Sequence, residues 1–318
     1  MNLPMSARLG VVMDPIAAIK PRKDSTLALL LEAQRRGYEL WYFLATDLYA
    51  DGGAACGRGR PLTVRDDVHD WYTVGEPRAM PLAELDTILM REDPPVDAGY
   101  ISATQLLSLA EAQGVRVVNR PAALRDANEK LFALHWPHLC PATRVAADPA
   151  LLRGFIAEQG KAVLKPLDAM GGASIFVLAD GDPNTSVVLE TLTDGGRRYA
   201  MAQEYLPRID EGDKRVLVFG GEPFPHALAR IPARGETRGN LAAGGRGEAA
   251  PVTERERAVC AELAPTLRER GLELVGLDFI GERLTEINVT SPTCFREIDA
   301  LCGVNTAGAF FDHLEGSA

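Results

Sequence analysis

Apolar positions in this chain recur first as a short run, then at helical spacing, then as a run again. Arg8 to Met13 is β-like and ends at Asp14-Pro15; a polar loop leads to Asp24-Ser25, a helix start. Leu27, Leu30 and Leu31 carry the helical spacing, Gly37 stops it, and Tyr38 to Leu44 reads as the next strand. That order predicts a parallel sheet with a right-handed crossover. Asp51 to Gly59 is glycine-rich, follows no clear strand and opens no helix, so it reads as a flexible turn. Asp86 to Met90 is a buried strand followed by Arg91-Glu92-Asp93-Pro94-Pro95, at the strand end where open α/β sheets bind ligands. Two readings of Arg91 stand: a bidentate holder of a substrate carboxylate, or a surface ion pair. Ser102 to Gln113 is a helix closed by Gly114, Val115 to Val118 a strand, and Asn119-Arg120-Pro121 ends a first domain, residues 1–122.

The remainder, 123–318, has a different rhythm. A helix through Leu124–Phe132 would carry Asn128-Glu129-Lys130, and after a Pro- and Ala-rich connection a weak helix lies near Leu151–Glu158. Ala162 to Pro166 is a strand with Lys165 inside its apolar run. The glycine-rich loop Asp168–Ser174 then leads into Ile175–Leu178, joining strand to strand. It therefore lacks the helix N-terminus of the usual phosphate loops, but its backbone N–H groups can still fold over phosphates. Met201 to Leu206 is a strand; Asp213-Lys214-Arg215 opens another, and Gly220-Gly221 turns into a strand reaching about Ile231. Ile231 to Gly247 carries Arg234, Arg238 and Arg246 and is long for a connector, which favours a lid over a disordered linker. Glu254 to Arg270 is an amphipathic helix ended by Gly271, and the chain closes on a short helical tail.

Between helix and tail, Val275 to Arg296 has two β-like runs around Gly281-Glu282-Arg283. Alternation places Glu286 and Asn288 on one face and Thr285, Ile287 and Val289 on the other. A three-residue loop would set Asp278 across from Glu286. Three oxygen donors would then converge, the pattern that holds Mg²⁺ against substrate phosphates; a wet polar face is the plainer alternative.

Composition narrows the classes. Of 318 residues, 46% are hydrophobic and 25% charged, as in globular proteins, and the net charge of −10 argues against a broad nucleic-acid or anionic-membrane surface. No apolar run is long enough to span a bilayer, and MNLPMSARLGVVMDP lacks a signal-peptide plan, so a cytoplasmic protein is expected. Five scattered cysteines without a CxxC imply reduced thiols. Cys294 lies near the hairpin, but no nearby His or Asn arrangement would activate it. His135 and His138, i and i+3 on the expected helix, lack a third metal ligand.

Two lysines, a glycine loop, an arginine-bearing lid and an oxygen-only hairpin are, in this order, what ATP phosphates need. On these segments the chain resembles the ATP-grasp superfamily, and within it the bacterial glutathione synthetases. The matching stretches are VMDPIA, LLLEAQRRGYEL, ILMREDPP, LRDANEKLF, LKPLDAMGGASIF, DKRVLV, ARIPARGETRGNLAAGGRG and VGLDFIGERLTEINVTSPTC. They span nearly the whole chain; departures fall in linkers such as 51–59 and after Asp299.

The resemblance implies an α/β fold: a Rossmann-like parallel-sheet domain over 1–122, then an α+β ATP-grasp domain over 123–318. The latter divides into a central subdomain of about 126–200 and a C-terminal one of about 201–318, with a flexible lid loop, 231–247. Lys130 and Lys165 would contact ATP phosphates, Lys165 also lying near the adenine. Met170, Gly171 and Gly172 would cover the triphosphate. Gln203, Glu204, Tyr205 and Leu206 would line the adenine site, with backbone hydrogen bonds from 204–206, and Asp213 would hold the ribose. Asp278, Glu286 and Asn288 would bind Mg²⁺, with Mn²⁺ as a substitute. Arg215 and Arg238 would neutralise the phosphoryl group and acyl phosphate, and Arg91 and Asn240 would join them in binding substrate. Ser291-Pro292-Thr293 would frame the glycine or dipeptide pocket. The implied activity is ligation of γ-glutamylcysteine and glycine with ATP as co-substrate, in a homo-oligomer, a tetramer by resemblance, with no nucleic-acid or membrane partner. Other ATP-grasp ligases and a non-catalytic nucleotide sensor are the rivals; a dehydrogenase lacks its strand–GxGxxG–helix unit.

Overall fold

The computed structural model describes residues 7–241 and 244–316. Residues 1–6, at the start of the stretch read for a signal peptide, and residues 242 and 243 of the expected lid lie outside that description, as do residues 317 and 318.

The N-terminal part runs β1 (Arg8–Val12), α1 (Ser25–Arg35), β2 (Glu39–Phe43), β3 (Leu48–Asp51), β4 (Ala54–Val64), β5 (Tyr72–Val74), β6 (Arg78–Pro81), β7 (Thr87–Met90), α2 (Ala98–Ala112) and β8 (Arg116–Val118). The eight strands form one sheet, β3-β4-β2-β1-β7-β8, with β5 and β6 also on β4. β1 pairs in parallel with β2 and β7, and β7 with β8, as the strand–helix–strand order implied. Leu9 and Val11 point to the layer that holds Leu27 and Leu30 of α1; Val12 faces the other layer with Phe43 and Ile88. Asp24 starts α1 by accepting the Leu27 N–H at 2.6 Å. α2 begins four residues before the expected Ser102, because Asp97 accepts the Tyr100 N–H at 2.9 Å.

The flexible turn expected over 51–59 is a correction. Only Gly52-Gly53 turn; Ala54 onward is β4. Its glycines serve packing, since a Cβ on Gly57 or Gly59 would come within 2.7 Å of the buried Phe43 ring.

A second correction concerns Leu124–Phe132. Helix α3 (Pro121–Asp126) stops early, and a 3₁₀ turn covers Phe132–His135. Between them Asn128 Oδ1 accepts the N–H groups of Lys130 and Leu131, both at 3.1 Å, so a side chain replaces the helical backbone bonds. His135 and His138 consequently do not share a helix, and His138 pairs with Glu262 at 2.8 Å.

Next come β9 (Thr143–Ala146), α4 (Pro149–Gln159), β10 (Lys161–Pro166), β11 (Phe176–Ala179), α5 (Thr185–Thr193) and β12 (Ala200–Glu204). These strands form an antiparallel sheet, β11-β10-β12-β9, packed through Leu164, Leu152 and Leu189 against the two helices. A five-stranded antiparallel sheet follows, order β15-β14-β13-β16-β17, from β13 (Asp213–Phe219), β14 (Glu222–Ile231), β15 (Arg246–Pro251), β16 (Leu274–Ile280) and β17 (Arg283–Asn288). Helix α6 (Glu254–Arg270) carries a Thr253/Glu256 capping box and ends at Gly271 in the left-handed region. Helices α7 (Phe295–Cys302) and α8 (Thr306–Glu315) return to the N-terminal part, where Arg36 binds Asp312 and Glu315, each at 2.6 Å. Among the described residues no helix is long and apolar enough to cross a membrane.

The packing role of the β4 glycines has a measurable consequence. Gly59→Ala should lower unfolding stability by about 1–3 kcal/mol through overpacking against Phe43 and Met80, read as a shift in the denaturant midpoint. Gly52→Asn, at a turn with open space around it and a φ of +55° that asparagine tolerates, should cost less.

Candidate active site

Strand register assembles the charged centre. Arg215 on β13 lies beside Asp278 on β16, which lies beside Glu286 on β17; in a neighbouring row Gly276 pairs with Asn288. The expected facing of Asp278 and Glu286 is present, but by another route. The turn has two residues, Gly281-Glu282, with Ile280 opposite Arg283, and a shift after Asp278 inserts one extra residue on β17. The bulge restores the register that a three-residue loop would have given. It also lets Thr285 reach the site, although simple alternation puts it on the opposite face.

Asp278 is 3% exposed and is gripped by two guanidinium groups. Arg215 binds it through Nε at 2.5 Å and Nη2 at 2.7 Å, and Arg230 through Nη2 at 2.9 Å. Arg230 also binds Asp213 at 2.6 Å. Burial works to raise the Asp278 carboxyl, but the Arg215 and Arg230 charges outweigh it and hold the group well below the usual carboxylate range. For Asp213 burial wins over Arg230 and the carboxyl is pushed up, with Asp278 adding to the rise. Glu286 is opposed by burial but held down by Lys165 and Lys130. The Lys165–Glu286 pair spans 3.2 Å.

The second sheet supplies the opposite wall. Lys165 is an inward residue of β10, and Lys130, in the non-helical turn, donates from Nζ to Ala169 O at 2.8 Å. Both are more than nine-tenths buried. The glycine loop takes φ of +63° at Gly171 and +82° at Gly172. Arg238 from the 231–247 loop donates to Gly172 O at 3.1 Å, and a Cβ on Gly172 would meet Asn240 Oδ1 at 2.7 Å, so the two loops lie against each other. Where β12 ends, Glu204 N–H is used by Ala142 O at 2.9 Å and Tyr205 N–H by Lys161 O at 3.3 Å. These bonds leave the Leu206 N–H as the segment's remaining donor. Lys161 Nζ sits 3.6 Å from the Tyr205 ring centre.

One cavity is lined by Lys130, Lys165, Met170, Gly171, Gly172, Gln203, Glu204, Tyr205, Leu206, Asp213, Arg238, Asn240, Asp278, Glu286 and Asn288. Its apolar wall is Val163, Ile175, Val177, Ile209 and Ile280. Arg215 stands behind Asp278 rather than on that wall, with Nη1 3.5 Å from Thr293 Oγ1. Arg91 lines a separate cavity with Asp14, Lys20, Lys23, Asp93, Ser291 and Thr293. It is 3% exposed, donates to Thr26 Oγ1 at 3.0 Å and Pro292 O at 2.9 Å, and its Nη1 has no hydrogen-bond partner. The surface ion-pair reading of Arg91 therefore fails. A third cavity joins the two: it shares Met170, Asn240 and Asn288 with the first, and Lys23, Ser291 and Thr293 with the second. Cys294, with φ of +88°, lies on it, and burial pushes its thiol up, away from a reactive thiolate.

Asp278, Glu286 and Asn288 could hold a hard cation. Asn288 Nδ2 donates to Gly276 O at 3.1 Å and Asp278 Oδ2 at 3.2 Å, which keeps its Oδ1 as an acceptor. Two carboxylates and an amide oxygen suit Mg²⁺ completed by phosphate oxygens. Among the described residues no cluster of three or more His, Cys, Asp or Glu offers another metal site. Sequence reading missed Arg230 and Glu129. Arg230 had a signal, a charge inside the apolar run ALARI next to the lid, of the same kind that marked Lys165.

An antiparallel sheet facing a second sheet across a lysine-flanked cavity, under two glycine-rich loops, defines an ATP-grasp ligase. The family model described as "Prokaryotic glutathione synthetase, N-terminal domain" matches residues 7–125, and "Prokaryotic glutathione synthetase, ATP-grasp domain" matches 129–303. The chain belongs to the prokaryotic glutathione synthetase family. It is 57% identical over 311 residues to the glutathione synthetase of Pseudomonas putida, covering 98% of each chain. It is 54% identical over 308 residues to that of Escherichia coli K12, covering 97% of this chain and 98% of the relative. In fold it is similar to D-cycloserine synthetase DcsG, with a TM-score of 0.67 at 18% identity, covering 98% of this chain and 99% of that one. The ATP-grasp ligase PsnB, complexed with a minimal precursor, Mg and ADP, gives a TM-score of 0.59 at 19% identity, covering 98% and 97%.

The buried charge cluster makes a signed prediction. Because the folded Asp278 ionises below its ordinary 3.8, its contribution is present above that value and is lost as pH falls below about 4. Asp278→Asn should cost about 3–5 kcal/mol at neutral pH by leaving two buried guanidinium groups short of a partner. It should also flatten the fall in stability below pH 4, measured by urea midpoints across pH.

Proposed function

We propose that this protein joins γ-glutamylcysteine to glycine, with ATP converted to ADP and phosphate. The observation that carries the reading is the single cavity on which both lysines, the glycine loop, the lid and the metal-type hairpin meet. In this reading the cysteinyl carboxylate of the dipeptide attacks the γ-phosphorus of ATP, releasing ADP and forming an acyl phosphate. The glycine amine then attacks the acyl carbon, phosphate leaves, and the amine proton is lost to give the amide. No protein nucleophile is required, in keeping with the elevated thiol of Cys294.

Lys130 and Lys165 would take the phosphates, with Met170, Gly171 and Gly172 folding over them, and the Leu206 N–H would meet the adenine between the apolar walls. Gln203, Glu204 and Tyr205 complete that wall, and Asp213 would receive the ribose. Asp278, Glu286 and Asn288 would hold Mg²⁺, or Mn²⁺ in its place, which when bound offsets phosphate charge. Arg238 would neutralise the transferring group from above and Arg215 from behind Asp278. Arg91, with its free Nη1, and Asn240 would hold the peptide substrate along the joined cavities. The 231–247 loop, already against the glycine loop, would exclude water that hydrolyses an acyl phosphate. The same reading has residues 1–122 as the substrate-side domain, 123–318 as the ATP-grasp domain, and a cytoplasmic homotetramer as the working form.

ADP release should depend jointly on γ-glutamylcysteine, glycine and Mg²⁺; nucleotide binding without turnover would instead indicate a sensor, and turnover with D-alanine alone another ligase. Glu286→Gln should lower turnover about 10²–10³-fold, well beyond its effect on the melting transition, whereas matched losses would make the hairpin structural. Arg238→Ala should raise the ratio of ADP to glutathione above one if the lid protects the intermediate.

A further inference from the structure

β17 is an edge strand, and edge strands normally leave outward amides to water. Here they are taken. Leu284 N–H donates to Leu139 O, and Ile287 N–H to Glu129 O, both at 2.9 Å. Val289 N–H donates to Glu129 Oε1 at 2.9 Å, and that same oxygen accepts the Thr290 N–H at 3.1 Å and its hydroxyl at 2.8 Å. From the other side Asn119 Nδ2 donates to Val289 O and to Leu274 O, both at 2.7 Å. Asn119 Oδ1 accepts the amides of Glu273 at 2.8 Å and Leu274 at 2.9 Å. Val289, the residue after Asn288, is thus held at its N–H by a carboxylate and at its C=O by a fully bonded buried amide.

Glu129 also has informative neighbours. Asn128 Nδ2 donates to Leu167 O at 3.1 Å and Lys130 Nζ to Ala169 O at 2.8 Å, both at the root of the glycine loop. Three consecutive residues therefore join the glycine loop to the hairpin that bears the metal-type oxygens.

We infer that Glu129 is a positioning residue for the metal site: its carboxylate fixes the exit of β17, and with it Glu286 and Asn288, against the lysine and glycine-loop side of the cavity, with Asn119 as the opposing anchor. The inference rests on the metal reading of the hairpin. Three donors converge on this one oxygen, so its loss leaves two backbone amides and a hydroxyl without their acceptor. Groups that orient metal ligands without touching the metal commonly alter metal affinity 10–100-fold when removed. A role confined to folding would instead lower the melting temperature while leaving the metal dependence of the folded molecules as it was.

The test is a Mg²⁺ titration of ADP release at saturating substrates, run beside thermal melting, for the wild type, Glu129→Ala, Glu129→Gln and Glu286→Gln. Glu129→Ala should raise half-saturating Mg²⁺ about 10–100-fold, and Glu129→Gln, which keeps an oxygen acceptor of the same shape, should recover most of that shift. Should Glu129→Ala not fold, Thr290→Val removes one of the three donors and should raise half-saturation about fivefold, the equivalent of one hydrogen bond. Unchanged half-saturation in Glu129→Ala or Thr290→Val, with activity tracking the folded fraction, overturns the inference provided Glu286→Gln does shift it. If Glu286→Gln shifts nothing either, the metal reading of the hairpin is what has failed, and the inference falls with it.

Discussion

The site depends on a buried quartet of charges: Asp213, Arg215, Arg230 and Asp278. Removing four ionised groups from water costs several kcal/mol for each. The arrangement is tolerable because two carboxylates face two guanidinium groups and Asp278 is shared between both arginines. The quartet is neutral as a set but not uniform. Asp278 is held firmly ionised, while Asp213 is pushed towards the proton-bearing form, with Oδ1 buried and unbonded. The quartet lies where three strands run side by side, so backbone register, not side-chain flexibility, sets its geometry.

That arrangement explains why several glycines stand where they do. Gly276, two residues before Asp278 on the same face of β16, has Arg215 Cδ 2.9 Å from where a Cβ would be, so the arginine lies across it. In the lid a Cβ on Gly239 would collide with Arg230 O and come within 2.9 Å of Asp213 Cβ. The lid therefore crosses the quartet in close contact with its backbone. The 231–247 loop thus touches the quartet at Gly239 and the glycine loop through Arg238.

Much of this was legible along the chain, and the parts that were not share a cause. The hairpin could be read because alternation is local: Glu286 and Asn288 share a face whatever pairs with them. Even the error in turn length left the pairing of Asp278 with Glu286 intact, since the bulge supplied the missing residue. Strand β4 was hidden because Gly57 and Gly59 look like turn residues until Phe43, from the neighbouring strand β2, is seen to need the space. Residues 128–130 were read as helix because Leu124 and Phe132 fit the spacing, whereas Asn128 diverts the backbone through bonds that include a partner 39 residues away. Arg230 was overlooked because its meaning lies in Asp213 and Asp278 across the sheet. The residue types and their order could be matched to a family, but no periodicity reveals which carboxylate an arginine will meet.

The placement of Arg215 sharpens what charge neutralisation can mean here. As a wall residue it would meet phosphate directly. Behind Asp278, it instead moderates how much negative charge Asp278 presents to the cavity, jointly with Arg230. A cation arriving at Asp278 and Glu286 would compete with those arginines and with Lys165 for the same oxygens. Any strengthening of one partner weakens another, because each carboxylate has a limited number of lone pairs within reach. Metal and phosphate should therefore engage together rather than independently: cations released from the carboxylates are the groups available to anionic phosphates, as Arg238 would be once freed from Glu236, which it binds at 2.6 Å.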